Sequence, residues 1–216
     1  MMRIVFDLDG TLIDSAPDIH ANASRVLAEE GLAPMTLAEV RGMIGHGVPH
    51  LVGRLLEASG QDPAGARFAR MVDSFAAGYE GAVGLTRTYP GVEAALAALA
   101  GSGAPLGICT NKPRAPTLSV LRHLGLSDRF AVVVGGDSLP VRKPDPAPLL
   151  AALAALGQGP AVYVGDSEVD AETAAAAGLP FLLYTEGYRR APVTALPHAA
   201  AFADWGALPY LVARLA

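Results

Sequence analysis

The sequence predicts an α/β fold in which a parallel sheet core is interrupted by an inserted α-helical domain. After residue 89, strand and helix patterns alternate, which is typical of a parallel sheet with right-handed crossovers. Residues 14–84 instead show helical patterns without a convincing strand. The chain has 216 residues, enough for one sizeable core and a small insert. We expect a core domain of residues 1–14 and 85–216 and a helical domain of residues 15–84.

Three consecutive apolar residues, 4–6, predict the first buried strand. Asp7 and Asp9 follow this strand, and Gly10 permits a sharp turn after them. Carboxylates at the carboxyl end of a parallel strand lie where α/β sheets form their ligand crevice. The same residues would also suit a solvent-exposed turn, so their interpretation depends on the segments that follow.

The helical insert, residues 15–84, is predicted to hold four helices. Asp18 is expected to cap the first helix, and Thr36 with Glu39 forms the capping-box pattern of the second. A flexible Gly-His-Gly break separates the second helix from the third. The expected helices span residues 18–30, 36–44, 49–58 and 62–81.

The second part of the core is predicted from short apolar strands that alternate with helices. The helices are expected at residues 92–100, 116–124, 146–156 and 168–177, and the strands at 105–110, 131–134, 161–164 and 181–184. A short apolar stretch at 199–202 and a final helix that ends near Ala216 complete the chain.

Composition excludes several classes of partner. A formal net charge of −5 gives no basis for binding nucleic acid or an anionic membrane. The uncharged run 94–111 is broken by glycines and a proline, so we expect helix, turn and strand rather than a membrane span. Cys109 is the single cysteine, so no intrachain disulfide can form, and no secretory leader is evident. We expect a cytoplasmic protein, while its oligomeric state stays open.

Polar residues also follow or flank the later strands. Thr110 and Asn111 offer a hydroxyl and backbone N–H groups that suit phosphate oxygens. Lys143 precedes a helix, and Asp166 and Asp170 are four residues apart, so a helix start can bring both to one place. Taken singly, these residues also suit a helix cap, a surface lysine and acids at a helix N-terminus.

The acidic residues together indicate a metal site. Asp7, Asp9, Asp166 and Asp170 would meet at one edge of the sheet. Their mutual repulsion exceeds what Lys143 can balance, and a divalent cation would relieve it. Mg²⁺ takes a few carboxylates together with phosphate oxygens, whereas zinc prefers nitrogen and sulfur ligands. We therefore expect a Mg²⁺ site, with a small phosphorylated metabolite as the molecule on which the protein acts.

The order of these residues resembles the four motifs of the haloacid dehalogenase (HAD) superfamily. This resemblance implies a Rossmann-like, HAD-type core, and the helical insert resembles that superfamily's mobile cap. The motifs are Asp7-Leu8-Asp9-Gly10-Thr11, Thr110-Asn111, Lys143, and Gly165-Asp166 with Asp170. Further details look like phosphoglycolate phosphatases, namely Thr110-Asn111-Lys112-Pro113, Gly135-Gly136-Asp137, Lys143-Pro144, Gly165-Asp166-Ser167 and Gly187-Tyr188.

The resemblance implies a phosphatase that works through an aspartyl-phosphate, with 2-phosphoglycolate as the expected substrate. Asp7 would be the nucleophile. Asp9 would protonate the leaving oxygen and later deprotonate the water that hydrolyses the intermediate. Thr11 is expected to orient Asp9.

Further residues would hold the phosphoryl group and the metal. The Thr110 hydroxyl, the Asn111 backbone amide and Lys143 would bind the phosphoryl oxygens. The implied Mg²⁺ ligands are the Asp7 carboxylate, the Asp9 backbone carbonyl and the Asp166 carboxylate, with Asp170 assisting through a metal-bound water.

Single residues help to choose among the activities found in this superfamily. Asp9 favours phosphate transfer, because dehalogenases of the superfamily lack the second acid. The insert has no lysine, which phosphonoacetaldehyde hydrolases need for a Schiff base. Pyrophosphatases, sugar-phosphate phosphatases and β-phosphoglucomutases stay open, although the mutases typically place an arginine near the position of His50. A non-catalytic, phosphate-responsive binding protein is the alternative from another class.

Substrate selectivity is expected to reside in the helical insert. His46, in the break between helices, or its flanking amides are expected to contact the substrate. Lys112 is expected on the surface, with substrate contact as the alternative. Hinges for cap movement are expected near residues 14–17 and 84–90. Other candidate partners for a substrate carboxylate are His50, Arg41 and Arg54.

Overall fold

The computed structural model describes residues 1–215 and has the expected α/β architecture over that range. Within it, a six-stranded parallel sheet is flanked by helices, and a group of helices is inserted after the first strand. Short apolar runs become strands because breaks rich in glycine and proline separate them from the helices. The fold class predicted from the sequence is therefore confirmed.

Strands and helices alternate along the core part of the chain. The strands are β1 (Arg3–Phe6), β2 (Ile13–Asp14), β3 (Arg87–Thr88), β4 (Leu106–Cys109), β5 (Val132–Val134), β6 (Ala161–Gly165), β7 (Phe181–Tyr184) and β8 (Ala200–Phe202). The helices are α1 (Ala16–Glu29), α2 (Leu37–Arg41), α3 (Val48–Ala58), α4 (Ala66–Tyr79), α5 (Val92–Gly101), α6 (Arg114–His123), α7 (Ala147–Ala155), α8 (Glu168–Ala176) and α9 (Leu208–Ala213).

The first strand, β1, lies inside the sheet, whose strand order is β5-β4-β1-β6-β7-β8. It pairs in parallel with β4, where Phe6 lies opposite Ile108, and with β6, where Phe6 lies opposite Val164. The remaining neighbours are parallel as well, so the carboxyl ends of these strands share one edge. The apolar stretch predicted at 199–202 contributes the edge strand β8.

Side chains of β1 enter two cores, because successive residues of a strand point to opposite faces of the sheet. Ile4 and Phe6 are buried in a core that includes residues of α5, α6 and α9. Val5 is buried in a second core that includes residues of α7 and α8. Both faces of the sheet are therefore covered, which leaves its carboxyl edge for polar residues.

The helices α1–α4 form a third core of their own. Val26, Leu55 and Phe75 are among its fully buried side chains. The capping box predicted for α2 is present: Thr36 Oγ1 accepts the Glu39 N–H at 3.3 Å, and the Glu39 carboxylate accepts the Thr36 N–H at 2.7 Å. The insert thus has the helical character that its sequence predicts.

Two helices of the insert begin elsewhere than expected. The first, α1, begins at Ala16, and its N-cap position is Ser15 rather than Asp18. The fourth, α4, begins at Ala66, because the Asp62 carboxylate accepts a nearby backbone N–H in a turn instead of starting a helix. Both expected starts at aspartate are therefore wrong.

Asp18 has a different function in the fold. Its carboxylate is buried, with 5% of the residue exposed, and Oδ2 accepts the backbone N–H groups of Leu85 and Thr86 at 2.9 and 2.7 Å. The Thr86 hydroxyl donates to the same oxygen at 2.6 Å. Asp18 therefore holds the chain where it returns from the insert to the sheet.

The strands β2 and β3 form an antiparallel ribbon that the sequence did not predict. Ile13 pairs with Thr88, and Asp14 pairs with Arg87. Strands of this length are too short to show a periodic pattern in the sequence. The ribbon joins the two segments through which the chain enters and leaves the insert.

The uncharged run 94–111 forms the end of α5, a turn and β4. Across residues 1–215, no helix combines the length and apolar character needed to cross a membrane. The last helix, α9, ends at Ala213, and the predicted helix end near Ala216 lies outside the described residues.

Candidate active site

The polar residues predicted from the sequence meet at the carboxyl edge of the sheet. Asp7 follows β1, Thr110 follows β4 and Asp166 follows β6, so three adjacent strands place them side by side. Asp170 lies in the first turn of α8, and Lys143 precedes α7. All five residues are buried. Ionisable groups in such a site must therefore be balanced by one another.

Lys143 lies between two carboxylates. Its Nζ is 2.7 Å from Asp170 Oδ1 and 3.0 Å from Asp7 Oδ1. It also donates a hydrogen bond to the hydroxyl of Tyr163 at 2.7 Å. Tyr163 lies on β6, and no sequence motif includes it. Burial favours the neutral amine, but the two carboxylates outweigh it and raise the pKa of Lys143. The lysine therefore keeps its charge at the centre of the site.

The aspartates carry more negative charge than Lys143 balances. Burial and repulsion by Asp170 raise the pKa of Asp7 to about 7, although Lys143 opposes this shift. Burial and the charges of Asp170 and Asp7 raise the pKa of Asp166 well above its ordinary value. The pKa of Asp170 is lowered, because the effect of Lys143 outweighs that of burial. The cluster thus lacks positive charge.

A divalent metal ion fits this deficit. Asp7, Asp166 and Asp170 each offer a carboxylate oxygen, and these oxygens lie within 4.8 Å of one another. Asp7 Oδ1 is buried, and despite its ion pair with Lys143 it accepts no well-directed hydrogen bond from residues 1–215. Hard oxygen donors suit a hard cation. The Asp9 carboxylate does not belong to this cluster.

Two other residues hold the Asp9 carboxylate. The Ser15 hydroxyl donates to Asp9 Oδ1 at 2.5 Å, and Lys112 Nζ lies 3.3 Å from the same oxygen. Asp9 lies in a cleft between the core and the insert. Its carboxyl is therefore placed to exchange a proton with a bound molecule rather than to bind the metal.

Thr11 does not orient Asp9, contrary to expectation. Gly10 has a φ of 86°, and a Cβ atom at this position would lie 2.6 Å from Asp166 Oδ2, so the turn requires glycine. After the turn, the Thr11 hydroxyl donates to Asp166 Oδ1 at 2.7 Å. Ser15 has the position that was expected for Thr11.

Lys112 is buried, so its expected surface location is wrong. Only 3% of its side chain is exposed, and the nearby Asp9 carboxylate supplies a counter-charge. Its Nζ donates to the hydroxyl of Tyr79, on α4, at 2.7 Å and lies 4.1 Å from the centre of that ring. The sequence signal for this residue was its place directly after the strand-end pair Thr110-Asn111.

Asn111 connects the core to the insert. Its Nδ2 donates to the backbone oxygens of Gly45 and Lys143 at 2.9 and 3.0 Å. Thr110 and Asn111 line the cleft together with Asp7. The Asn111 side-chain nitrogen is thereby occupied, while its buried Oδ1 accepts no hydrogen bond from residues 1–215. The backbone N–H of Asn111 is the group that suits a phosphoryl oxygen.

A cleft lies between the core and the insert, next to Asp7 and Asp9. His46 lines an adjoining cleft, together with Glu168 and Arg190. Burial and the charge of Arg190 lower the pKa of His46, so the imidazole is neutral near pH 7. It can donate or accept a hydrogen bond there but supplies no fixed positive charge.

The other candidate residues of the insert face elsewhere. Arg41 forms a salt bridge with Asp14 at 2.8 Å. Arg54 is about half exposed and pairs within its own helix. The ring of His50 packs against that of His46, with 4.5 Å between the ring centroids.

Tyr188 is a site residue whose function the sequence pattern does not indicate. Its backbone N–H donates to Asp166 Oδ2 at 2.6 Å. Its hydroxyl accepts the N–H groups of Ser15 and Ala16 at 2.8 and 3.0 Å and donates to Asp14 Oδ1 at 2.7 Å. The hydroxyl thus caps α1 in place of the predicted aspartate, and the Gly-Tyr pair after β7 was the only sequence signal.

Comparison with known proteins places this geometry in a family. A family model described as haloacid dehalogenase-like hydrolase matches residues 1–178. The match extends from β1 through α8 and includes the aspartates and lysines of the site. The four motifs seen in the sequence are therefore those of a described hydrolase family.

Similar proteins match over nearly the whole chain. Phosphoglycolate phosphatase from Cereibacter sphaeroides strain ATCC 17025 is 55% identical over 216 residues, which cover 100% of this chain and 99% of that protein. Phosphoglycolate phosphatase from Rhodobacter capsulatus is 50% identical over 209 residues, 97% of this chain and 95% of that protein. The crystal structure of a predicted phosphoglycolate phosphatase from Haemophilus somnus 129pt has a TM-score of 0.91 at 29% identity, covering 98% of this chain and 97% of that one. This chain belongs to the haloacid dehalogenase-like hydrolases.

Proposed function

We propose that this chain is a Mg²⁺-dependent phosphatase that hydrolyses 2-phosphoglycolate to glycolate and phosphate. The observation that carries the proposal is the different surroundings of two carboxylates two residues apart. Asp7 faces Lys143 and the acidic cluster, while Asp9 faces the cleft beneath the insert. Such a pair can divide the work between a nucleophile and an acid–base catalyst.

The choice of substrate is supported by the relatives. Proteins about half identical to this chain over its whole length bear the name phosphoglycolate phosphatase. A small phosphorylated metabolite is therefore the proposed partner, and the cytoplasm is its proposed location. Pyrophosphate and sugar phosphates are the alternatives that a substrate panel must include.

Asp7 is the proposed nucleophile. One of its carboxylate oxygens attacks phosphorus in line, a P–O bond to Asp7 forms, and the bond from phosphorus to the ester oxygen breaks. Lys143, the Thr110 hydroxyl and the backbone N–H of Asn111 offset the negative charge on the phosphoryl oxygens. Lys143 Nζ already lies 3.0 Å from Asp7, so this charge is in place before the reaction starts.

Asp9 is the proposed acid and base. As an acid it gives a proton to the leaving oxygen, which becomes the hydroxyl of glycolate. As a base it then takes a proton from water, whose oxygen attacks the phosphorus and breaks the P–O bond to Asp7. The Ser15 hydroxyl, 2.5 Å from Asp9 Oδ1, supports one orientation of the carboxyl for both steps.

The acidic cluster is the proposed metal site. Mg²⁺ would be held by the carboxylates of Asp7 and Asp166 and the backbone carbonyl of Asp9. When bound, Mg²⁺ neutralises negative charge on the nucleophile and on the transferring phosphoryl group. Asp170 is paired with Lys143 at 2.7 Å, which supports a position behind the direct ligands.

The helical insert, residues 15–84, is the proposed cap, and residues 1–14 and 85–216 are the proposed catalytic core. Movement of the cap would admit substrate and then exclude water from the transfer. The separate core of α1–α4 and the ribbon of β2 and β3 support this division. His46 is proposed to contact the substrate from the cap.

The experiment that tests the substrate is phosphate release with Mg²⁺ from a panel of phosphorylated compounds. The panel holds 2-phosphoglycolate, pyrophosphate, β-glucose 1-phosphate, a nucleoside monophosphate and p-nitrophenyl phosphate. We expect kcat/KM for 2-phosphoglycolate to exceed the others by about tenfold or more, which corresponds to about 1.4 kcal/mol. Equal values across the panel would remove 2-phosphoglycolate as the substrate.

The variant that tests the chemistry is Asp7→Asn. Loss of the nucleophile should lower turnover on the order of 10³-fold or more. A phosphate-responsive binding protein would keep its function in this variant, so retained activity would contradict the aspartyl-phosphate route.

A further inference from the structure

One end of the cleft between core and insert is formed by residues to which no binding of the phosphoryl group or the metal is assigned. Lys112, from the loop after β4, and Tyr79, from α4, meet there. The nearby walls are apolar and come from α1, α3 and the break before α3. A polar pair of this kind in an otherwise apolar wall is typical of a site that fixes one part of a ligand.

We propose that Lys112 Nζ and the Tyr79 hydroxyl bind the carboxylate of the leaving group, so that the chain selects phosphate monoesters with a carboxylate on the carbon next to the ester oxygen. This inference rests on the proposed function and deepens it. Lys112 and Tyr79 would then determine specificity, while Asp7 and Asp9 carry the chemistry.

The charge at this end of the cleft supports an anionic ligand. Among the described residues that line the cleft, Lys112 is the sole cationic side chain. An ammonium group has three protons. Two are directed to Tyr79 at 2.7 Å and Asp9 at 3.3 Å, which leaves one for an oxygen of the ligand.

Tyr79 supplies a second donor. Burial, with smaller contributions from Asp9 and Asp18, raises the pKa of its hydroxyl well above the ordinary value, so the proton stays on oxygen. The hydroxyl accepts from Lys112, and in residues 1–215 its own proton has no protein acceptor. The two groups together offer a charge-assisted and a neutral hydrogen bond to one carboxylate.

The distance between Lys112 and Asp9 determines which leaving groups can contact the lysine. Asp9 is the group proposed to protonate the ester oxygen, and Lys112 Nζ lies 3.3 Å from its carboxylate. A carboxylate one carbon away from that oxygen can therefore reach Lys112 while its phosphoryl group lies at Asp7. A neutral leaving group can accept a hydrogen bond there but lacks the charge attraction to Lys112.

The candidate cations of the insert do not supply this contact with the carboxylate of the leaving group. Arg41 is paired with Asp14, and Arg54 is half exposed and pairs within α3. His46 lines the adjoining cleft and is held neutral by burial and by Arg190. Lys112, from the core, is thus the cation that lines this cleft among the described residues.

The experiment compares two substrates of similar shape, 2-phosphoglycolate and the amide in which a neutral carboxamide replaces its carboxylate. Wild-type protein with Mg²⁺ should prefer the acid by about tenfold or more in kcat/KM, and Lys112→Met should reduce this preference to within about threefold. Tyr79→Phe keeps the lysine and should reduce the preference by a smaller factor. Arg70→Met, an exposed residue of the same helix as Tyr79, is the matched control and should keep the wild-type preference.

Each outcome decides the matter. Equal losses on acid and amide in Lys112→Met would show that the lysine only positions Asp9 and would overturn the inference. If Lys112→Met does not fold, Tyr79→Phe alone decides, because an unchanged preference in that variant would also overturn it. If the wild-type protein releases no phosphate from 2-phosphoglycolate in the panel, both the proposed function and this inference are wrong. A wild-type preference that survives in both variants would remove the inference alone.

Discussion

Tyr188 donates its backbone N–H to Asp166 at 2.6 Å, while its side chain lies at the start of the helical insert. One residue therefore orients a proposed metal ligand through its backbone and caps α1 through its hydroxyl. Arg41 of α2 lies over the same ring, 5.3 Å from its centre. Tyr188 thus contacts both the acidic cluster and the start of the insert.

Replacing Tyr188 by Phe should separate these two contributions. The variant removes the acceptor of the Ser15 N–H and one of the two acceptors of the Ala16 N–H, so the free energy of unfolding should fall by about 1–2 kcal/mol. Mg²⁺ affinity should change little, because the backbone N–H to Asp166 is retained. Urea denaturation with and without Mg²⁺ measures both quantities, with Tyr210→Phe, 66% exposed, as the control. A large loss of Mg²⁺ affinity with unchanged stability would contradict this division.

Without metal, the protein should lose stability as the pH rises from about 4 to about 7. The pKa of Asp7 is about 7 in the folded chain, against an ordinary value of 3.8 for an aspartate in water. Between these values the folded chain holds a proton that the unfolded chain has released, so stability falls with pH. The expected slope is on the order of 1 kcal/mol per pH unit. Thermal unfolding in a chelator measures it.

Mg²⁺ should oppose this trend, because a metal ion binds the deprotonated carboxylates. The rise in unfolding temperature on adding Mg²⁺ should therefore be larger near pH 7 than near pH 5. Asp7→Asn should reduce the slope in chelator, since it removes one of the two carboxyls whose pKa is raised, the other being Asp166. Wild-type stability that increases with pH across this interval in chelator would refute the raised pKa.

Replacing Asp9 by Asn should stop the reaction at different steps for different leaving groups. p-Nitrophenolate leaves without a proton, so Asp7 should still be phosphorylated, but the intermediate lacks its base. Turnover should fall on the order of 10²- to 10⁴-fold, and intact-mass measurement should find phosphate retained on the protein. With 2-phosphoglycolate the first step also needs the acid, so no phosphate should be retained. Retention with both substrates would exclude Asp9 as the acid.

Asp18→Ala should increase the mobility of the segment at Leu85 and Thr86, where the chain returns from the insert to the core. Three donors, from Leu85 and Thr86, would lose their buried acceptor, at a cost of about 1–3 kcal/mol. Hydrogen exchange should speed up in residues 84–88 first, because those amides are the ones released. Asp73→Ala, an exposed change in α4, is the matched control. Equal exchange in both variants would argue against a role of Asp18 at the proposed hinge.

His46→Ala tests the proposed contact from the cap. Because the imidazole is neutral near pH 7, its loss should raise KM for 2-phosphoglycolate several-fold, as expected for one neutral hydrogen bond of about 1 kcal/mol. The size of this change should be similar at about pH 7 and about pH 8, since the ring does not titrate there. Unchanged KM and kcat would remove His46 from the substrate site.

Much of the fold and the proposed site could be predicted because local patterns encode them directly. Asp7 directly follows the strand residues 4–6, Asp166 follows residues 161–164 after one glycine, and a parallel sheet brings such strand ends together. The capping box of Thr36 and Glu39 is likewise local. Each of these features depends only on neighbours in the sequence and on a general rule of sheet topology.

The expectations that failed depend on contacts between distant segments. Asp18 reads as a cap, but its partner lies 68 residues away at Thr86. Lys112 reads as a surface lysine until Asp9 and Tyr79 are placed beside it, 103 and 33 residues away in the chain. Sequence pattern shows which residue types are present, whereas these pairings arise only when the insert packs on the core.

The ribbon of β2 and β3 makes the whole insert equivalent to the loop of a β-hairpin. Asp14 and Arg87 face each other in register, so the chain leaves and rejoins the sheet at one point. The free energy of closing a loop depends only weakly on its length, and a two-residue turn can join such strands as well as a long segment can. The insert proposed to act as the cap is therefore joined to the core like a hairpin loop, so a change in its length would not reroute the chain that carries Asp7.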